Sequence, residues 1–120
     1  MITRYDDVPD NVAAFLASGE VTAADYEGVL IPTVEERLGR HKKLSLLYHL
    51  GPEFTGYEAD AMWEDTKLGF KTFTKYDKMA IVTDTSWLRR SVKAFGWLIP
   101  GEVKVYPYDQ LEQARAWITT

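Results

Sequence analysis

The stretch MAIVTDTSWLRRSVKAFGWLIPGEVKVY, residues 79–106, reads as strand, helix, strand. Met79–Val82 is a short apolar run that suits a buried strand, and Val103–Tyr106 alternates apolar and polar residues. Between them, Asp84, Thr85 or Ser86 can cap a helix, and Pro100-Gly101 stops it. Two strands joined through a helix predict a parallel pair. At about 100° per residue, Leu88, Val92, Phe95 and Ile99 share one helix face, the expected core face. A second line carries Trp87, Arg90, Ala94 and Trp97. It sets Trp97 beside Arg90 and Lys93, where a plain surface helix would show polar groups alone. That aromatic surplus marks a candidate membrane or partner surface of Arg90, Lys93 and Trp97.

The same alternation extends toward the N-terminus. Leu44–Leu50 is mostly apolar, as expected of a central strand covered on both faces. A breaker-rich loop is predicted over Gly51–Tyr57. A helix should follow from Glu58 to Phe73, with Ala59, Met62, Trp63, Thr66, Phe70 and Phe73 buried and Asp60, Glu64, Lys67 and Lys71 in water. Ahead of the central strand, Thr22-Ala23-Ala24-Asp25 resembles a capping box that opens a helix toward Arg40. Ala23, Tyr26, Leu30, Val34 and Leu38 form its inner face, and Pro32 predicts a kink. Met1–Tyr5 and Val12–Ala17, joined by the turn residues Val8-Pro9-Asp10-Asn11, predict a hairpin. After Pro107, Asp109 is placed to cap a last helix through Leu111, Ala114, Trp117 and Ile118. The expected order is ββαβαβαβα in one domain over residues 1–120.

Composition narrows the function. Net charge is -4, which argues against general nucleic-acid binding. The absence of cysteine removes disulfides, thiolate catalysis and cysteine metal sites. The N-terminus has neither the basic region nor the apolar run of a signal peptide, and no run of the chain is long enough to span a bilayer. The expected location is the cytoplasm, with peripheral membrane contact open to it.

Catalytic chemistry finds little purchase. His41 follows a predicted helix C-terminus, where its charged form is favoured. His49 lies toward the C-terminal end of the central strand, the edge at which open α/β sheets bind ligands; a core histidine satisfied by hydrogen bonds is the simpler reading. Two isolated histidines do not make a metal site. Glu64 and Asp65 point about 100° apart on a helix, so they read as a solvated face rather than an acid–base dyad. No nucleophile elbow, phosphate loop or dinucleotide fingerprint occurs. We expect a non-enzymatic domain with no cofactor and no metal. Phe54, Tyr57, Trp63 and Trp87 would gather near the C-terminal sheet edge, where they could line an apolar pocket; packing that closes the core is the alternative.

The segments VTAADYEGVLIP, MWEDTKLGFK, IVTDTSWLRRSVKAFGWLIPGEV and YPYDQLEQARAWI resemble the SpoIIAA-like family. The resemblance implies a STAS-like β-α superhelix: a mostly parallel five-stranded sheet with an N-terminal hairpin and four main helices. It places the chain in the fold group of CRAL-TRIO lipid-binding domains. An apolar small molecule or a membrane surface is then the expected partner, through helices that open and close. The second implied role is a regulatory protein partner of the anti-sigma-factor-antagonist type, switched by phosphorylation. The Asp-Ser-Ser/Thr-Gly pattern of that switch is absent here, which leaves Thr55 as its candidate. An enzyme of unknown reaction ranks third. A homodimer is expected, because the aromatic surplus exceeds what a monomer ordinarily leaves in water.

Overall fold

The computed structural model describes the backbone of residues 1–120 and every side chain but that of Phe70, so the expected burial of Phe70 lies outside the described residues. Five strands, β1 (Ile2–Arg4), β2 (Val12–Val21), β3 (Leu44–Tyr57), β4 (Tyr76–Val82) and β5 (Glu102–Tyr106), lie side by side in chain order. β1 pairs antiparallel with β2, and every later pair is parallel. The register runs Ala14–Leu47–Ala80–Lys104 across the four parallel strands. This is the expected α/β architecture, hairpin included.

The breaker-rich segment after Leu50 is a strand, not the predicted loop. β3 continues through Pro52 and Gly56 because β2 also lengthens, passing Gly19 at φ +62°. Register shifts on both sides of Gly19 let Phe54, Gly56 and Tyr57 pair with Gly19, Glu20 and Val21. Pro52 falls in the irregular stretch between the Ala17–Leu50 and Gly19–Phe54 pairs, where its missing N–H breaks no regular ladder.

α1 (Ala23–Asp25), a π turn (Tyr26–Leu30) and α2 (Ile31–Leu38) form one continuous helical rod. The Thr22–Asp25 capping box is present. Ahead of Pro32 the helix accommodates its missing donor by widening: the Ile31 N–H reaches Tyr26 O, five residues back. Tyr26, Leu30 and Val34 are buried as expected. Arg37 is buried too, and its Nη1 donates to the carbonyls of Pro9, Asp10 and Val12, tying the hairpin turn to the rod.

The rod, α3 (Ala59–Thr72) and α4 (Ser86–Phe95) share one sheet face, packed over Phe15, Leu46, Tyr48 and Leu50. α5 (Leu111–Ile118) covers the other together with Tyr5 and Val8, and there Ala114 and Ile118 meet Val12, Leu47 and Val82. α5 follows a 3₁₀ turn at Tyr108–Gln110, and its cap position is Gln110 rather than Asp109. α4 ends earlier than predicted, at Phe95, and a 3₁₀ turn carries Gly96–Leu98.

One glycine is fixed by close approach. A Cβ on Gly101 would stand 2.6 Å from Asp77 O and would also collide with the Tyr76 carbonyl. Both are backbone atoms of a paired strand and cannot swing away. Gly101→Ala is expected to cost about 1–3 kcal/mol, read as a lower urea midpoint at unchanged slope.

Candidate functional site

On the rod side of the sheet, three tyrosines meet hydroxyl to hydroxyl. The Tyr57 hydroxyl donates to Tyr48 Oη at 3.3 Å, and the hydroxyls of Tyr48 and Tyr26 lie 3.1 Å apart. Tyr26 donates to Asp65 Oδ1 of α3 at 2.8 Å. Each phenol carries one proton, and an ionised carboxylate can only accept. With Tyr26 donating to Asp65, Tyr48 must donate to Tyr26, and Tyr57 to Tyr48. All three protons therefore point along one chain toward Asp65.

Burial holds these phenols in their protonated form. It raises Tyr26 far above the usual phenol range, helped by the negative charge of Asp65. It raises Tyr57 similarly, with the Tyr48 oxygen next in effect. Tyr48 is pushed up to about 12 by burial, against its hydrogen bonds with Tyr26 and Tyr57. The surrounding protein also raises the Asp65 carboxyl, and the Tyr26 hydrogen bond offsets part of that. As a residue, however, Asp65 remains exposed, and water on its open side favours the ionised form.

This arrangement corrects the expected orientation of α3. Ala61, Leu68 and Thr72 are buried, on a line with Asp65. Met62, Trp63 and Phe73, predicted to be core, are exposed. From helix geometry, the sequence's apolar stripe lies about 140° around the helix from the line that faces the sheet. Asp65, read from sequence as one of a solvated pair with Glu64, is the polar anchor, whereas Glu64 pairs with Lys67 at 2.8 Å. Thr72 supplies a second tie, its Oγ1 lying 3.0 Å from the Tyr76 hydroxyl. A hydrogen bond to a charged group contributes about 1.5–3 kcal/mol, similar to burying one large apolar side chain. Keeping several such side chains in water makes α3 an unusual helix for a lone domain.

The four aromatics expected to line a pocket divide. Phe54 and Tyr57 meet edge to face at 5.2 Å, and Tyr57 meets Trp87 at 6.2 Å. Trp63 stands apart on the outer side of α3, with Lys67 Nζ 5.9 Å from its ring centre. Two open hollows lie elsewhere. One of about 470 Å³ lies between β1 and the rod, beside Arg4, Val29 and Pro32. Another of about 340 Å³ lies at the end of α2, beside Arg40, Lys42 and Lys75.

On α4, Leu88 and Val92 pack toward the core and Ile99 follows them, but Phe95 does not: it is 63% exposed. Trp97 is 76% exposed and sits in the 3₁₀ turn, off the helical line predicted to join it to Arg90. Arg90 and Lys93 are exposed on the same segment. Thr55 is exposed on β3, three residues ahead of the Glu58 cap of α3, and not at a helix start.

The histidines are tied up in hydrogen bonds. His49 Nδ1 lies 2.9 Å from the Tyr5 hydroxyl, and the two rings stack. Its partner is a phenol and not a carboxylate, so the acid–base pair an enzyme reading would require of His49 is not assembled there. His41 Nε2 lies 2.7 Å from Asp10, which Arg40 also grips with two nitrogens. Arg40 first, then His41, holds the Asp10 carboxyl well below the usual carboxylate range.

A SpoIIAA-like family model matches residues 12–119. The chain belongs to the SpoIIAA-like family. The crystal structure of an uncharacterised protein with a SpoIIAA-like fold from Shewanella loihica PV-4 superposes on it with a TM-score of 0.78 at 28% identity, covering 98% of this chain and 92% of that one. No curated protein matches the chain. The family confirms the expected fold, and its members' role is not characterised by these likenesses. No helix among the described residues is long and apolar enough to cross a membrane.

Two outcomes follow for this SpoIIAA-like domain. Tyr48→Phe removes the middle link of the chain and leaves Tyr57 without its acceptor, which should cost about 1–3 kcal/mol in urea unfolding. Burial lowers His49 below its ordinary value of 6.5. The unfolded chain therefore binds this proton more readily, and the contribution of neutral His49 is full above pH 6.5 and lost as pH falls below it. Unfolding on both sides of that value should show wild type losing more stability on acidification than His49→Gln.

Proposed function

We propose that this domain is a peripheral membrane-interface protein that docks through the outer surfaces of α3, α4 and the turn after α4. The observation that carries this reading is the outward set of Met62, Trp63, Phe73, Phe95, Trp97 and Leu98. Trp63, at 62% exposure, is as open as Phe95. Indole rings favour the water–lipid boundary, and Arg90 and Lys93 add exposed cations on the α4 segment. Burying each large apolar side chain contributes up to about 1.5–3 kcal/mol, and each cation near an anionic leaflet about 1 kcal/mol. The net charge of -4 opposes the second contribution, so the apolar one dominates and association is reversible. Kinship of the fold group with CRAL-TRIO lipid-binding domains, expected from the sequence, points the same way. An apolar molecule exchanged with such a surface would rest on the row of rings formed by Phe54, Tyr57 and Trp87.

Vesicle titration tests the reading. Tryptophan emission should shift to the blue on adding phosphatidylcholine vesicles, and somewhat more when phosphatidylserine is included. Phe95→Ala combined with Trp97→Ala should weaken partitioning at least roughly tenfold while the fold is retained. Unchanged emission and no co-sedimentation at saturating lipid would refute it. A concentration-dependent dimer that hides the same tryptophans would instead assign this face to a second copy.

A further inference from the structure

We propose that Asp65 is a positioning residue that sets the rotational phase of α3, holding its apolar stripe outward by anchoring the opposite side of the helix to the Tyr26–Tyr48–Tyr57 chain. Its consequence for binding rests on the reading of α3 as a contact face; the phase itself does not. The sequence of α3 favours one orientation and the fold adopts another. Inward, α3 presents Ala61, Asp65, Leu68 and Thr72, two of them polar. Met62, Trp63 and Phe73 remain in water. Hydrophobic burial alone would turn the helix to hide them.

The opposing element is specific. A carboxylate sits midway along the inward line, receiving a hydroxyl whose owner, Tyr26, is fully buried in the π turn. Rotating α3 would carry Asp65 away and leave the phenol chain without its terminal acceptor, a buried and unsatisfied donor. The π turn contributes as well, because its wider winding sets where Tyr26 points relative to β3. Asp65 thus trades a well-buried apolar helix for one that displays its apolar residues.

The chain has no cysteine, so a single introduced thiol reports the phase. Met62→Cys places that thiol on the outward stripe, where a water-soluble disulfide reagent should modify it at nearly the rate of a free thiol. Adding Asp65→Leu should slow modification roughly tenfold as the stripe turns inward. Asp65→Asn keeps an acceptor for Tyr26 and should stay within about twofold of the parent. Tyr26→Phe removes the donor from the other side and should slow modification as Asp65→Leu does, so the test survives if one variant does not fold. Unchanged rates in folded Asp65→Leu and Tyr26→Phe proteins would overturn the proposal. Slowed modification with undiminished vesicle partitioning would uphold the phase role and remove α3 from the contact face. Slowed modification with weakened partitioning would support both.

Discussion

The hydrogen bond from Tyr26 to Asp65 joins the three parts of the structure that carry its character. Tyr26 comes from the π turn of the rod, Tyr48 and Tyr57 from the longest strand, and Asp65 from α3. A carboxylate at the end of a line of phenols fixes the direction of every proton in it. The same contact fixes which side of α3 meets the sheet. What that helix presents to water then follows from its 3.6-residue period. A short, part-buried polar contact thus determines the chemistry of an outer surface.

The crossover helices of this parallel sheet lie on one side, with α5 alone on the other. They are not equally embedded. The rod buries Tyr26, Leu30, Val34 and the stem of Arg37, and it is tied to the hairpin turn by the guanidinium. α4 has no fully buried residue and leans on the core through Leu88 and Val92. α3 rests on small and polar side chains. Fewer buried apolar contacts mean lower local stability, so α3 and α4 are the elements whose opening would cost least. They also carry the exposed aromatics, and a surface that can yield is suited to meeting a partner whose shape is not fixed.

Much of the fold could be read from local patterns. The strand–helix–strand reading of residues 79–106, the capping box at Thr22 and the apolar run at Leu44–Leu50 each placed an element correctly, because each depends on neighbours in sequence. The extension of β3 through Pro52 and Gly56 could not be read this way: it depends on β2 continuing past a left-handed Gly19, a match between segments more than thirty residues apart. The candidate site was only partly legible. Phe54, Tyr57 and Trp87 do gather, Trp63 does not, and Asp65 was passed over beside Glu64. The available signal was the set of three tyrosines with no assigned polar partner, since a buried phenol needs one.

The sequence by itself determined the family, the order of the elements, the hairpin, the parallel sheet and the surplus of aromatics on the last two crossover helices. Only the tertiary structure decided where those aromatics face. Helical periodicity locates an apolar stripe but does not say which stripe the sheet receives, and it assumes that burial of apolar area prevails. In α3 the opposite side is held by a charge-assisted hydrogen bond to a tyrosine thirty-nine residues earlier. That partner is invisible to any local reading, and its donor cannot be left unpaired in the core, which is why Met62, Trp63 and Phe73 remain in water.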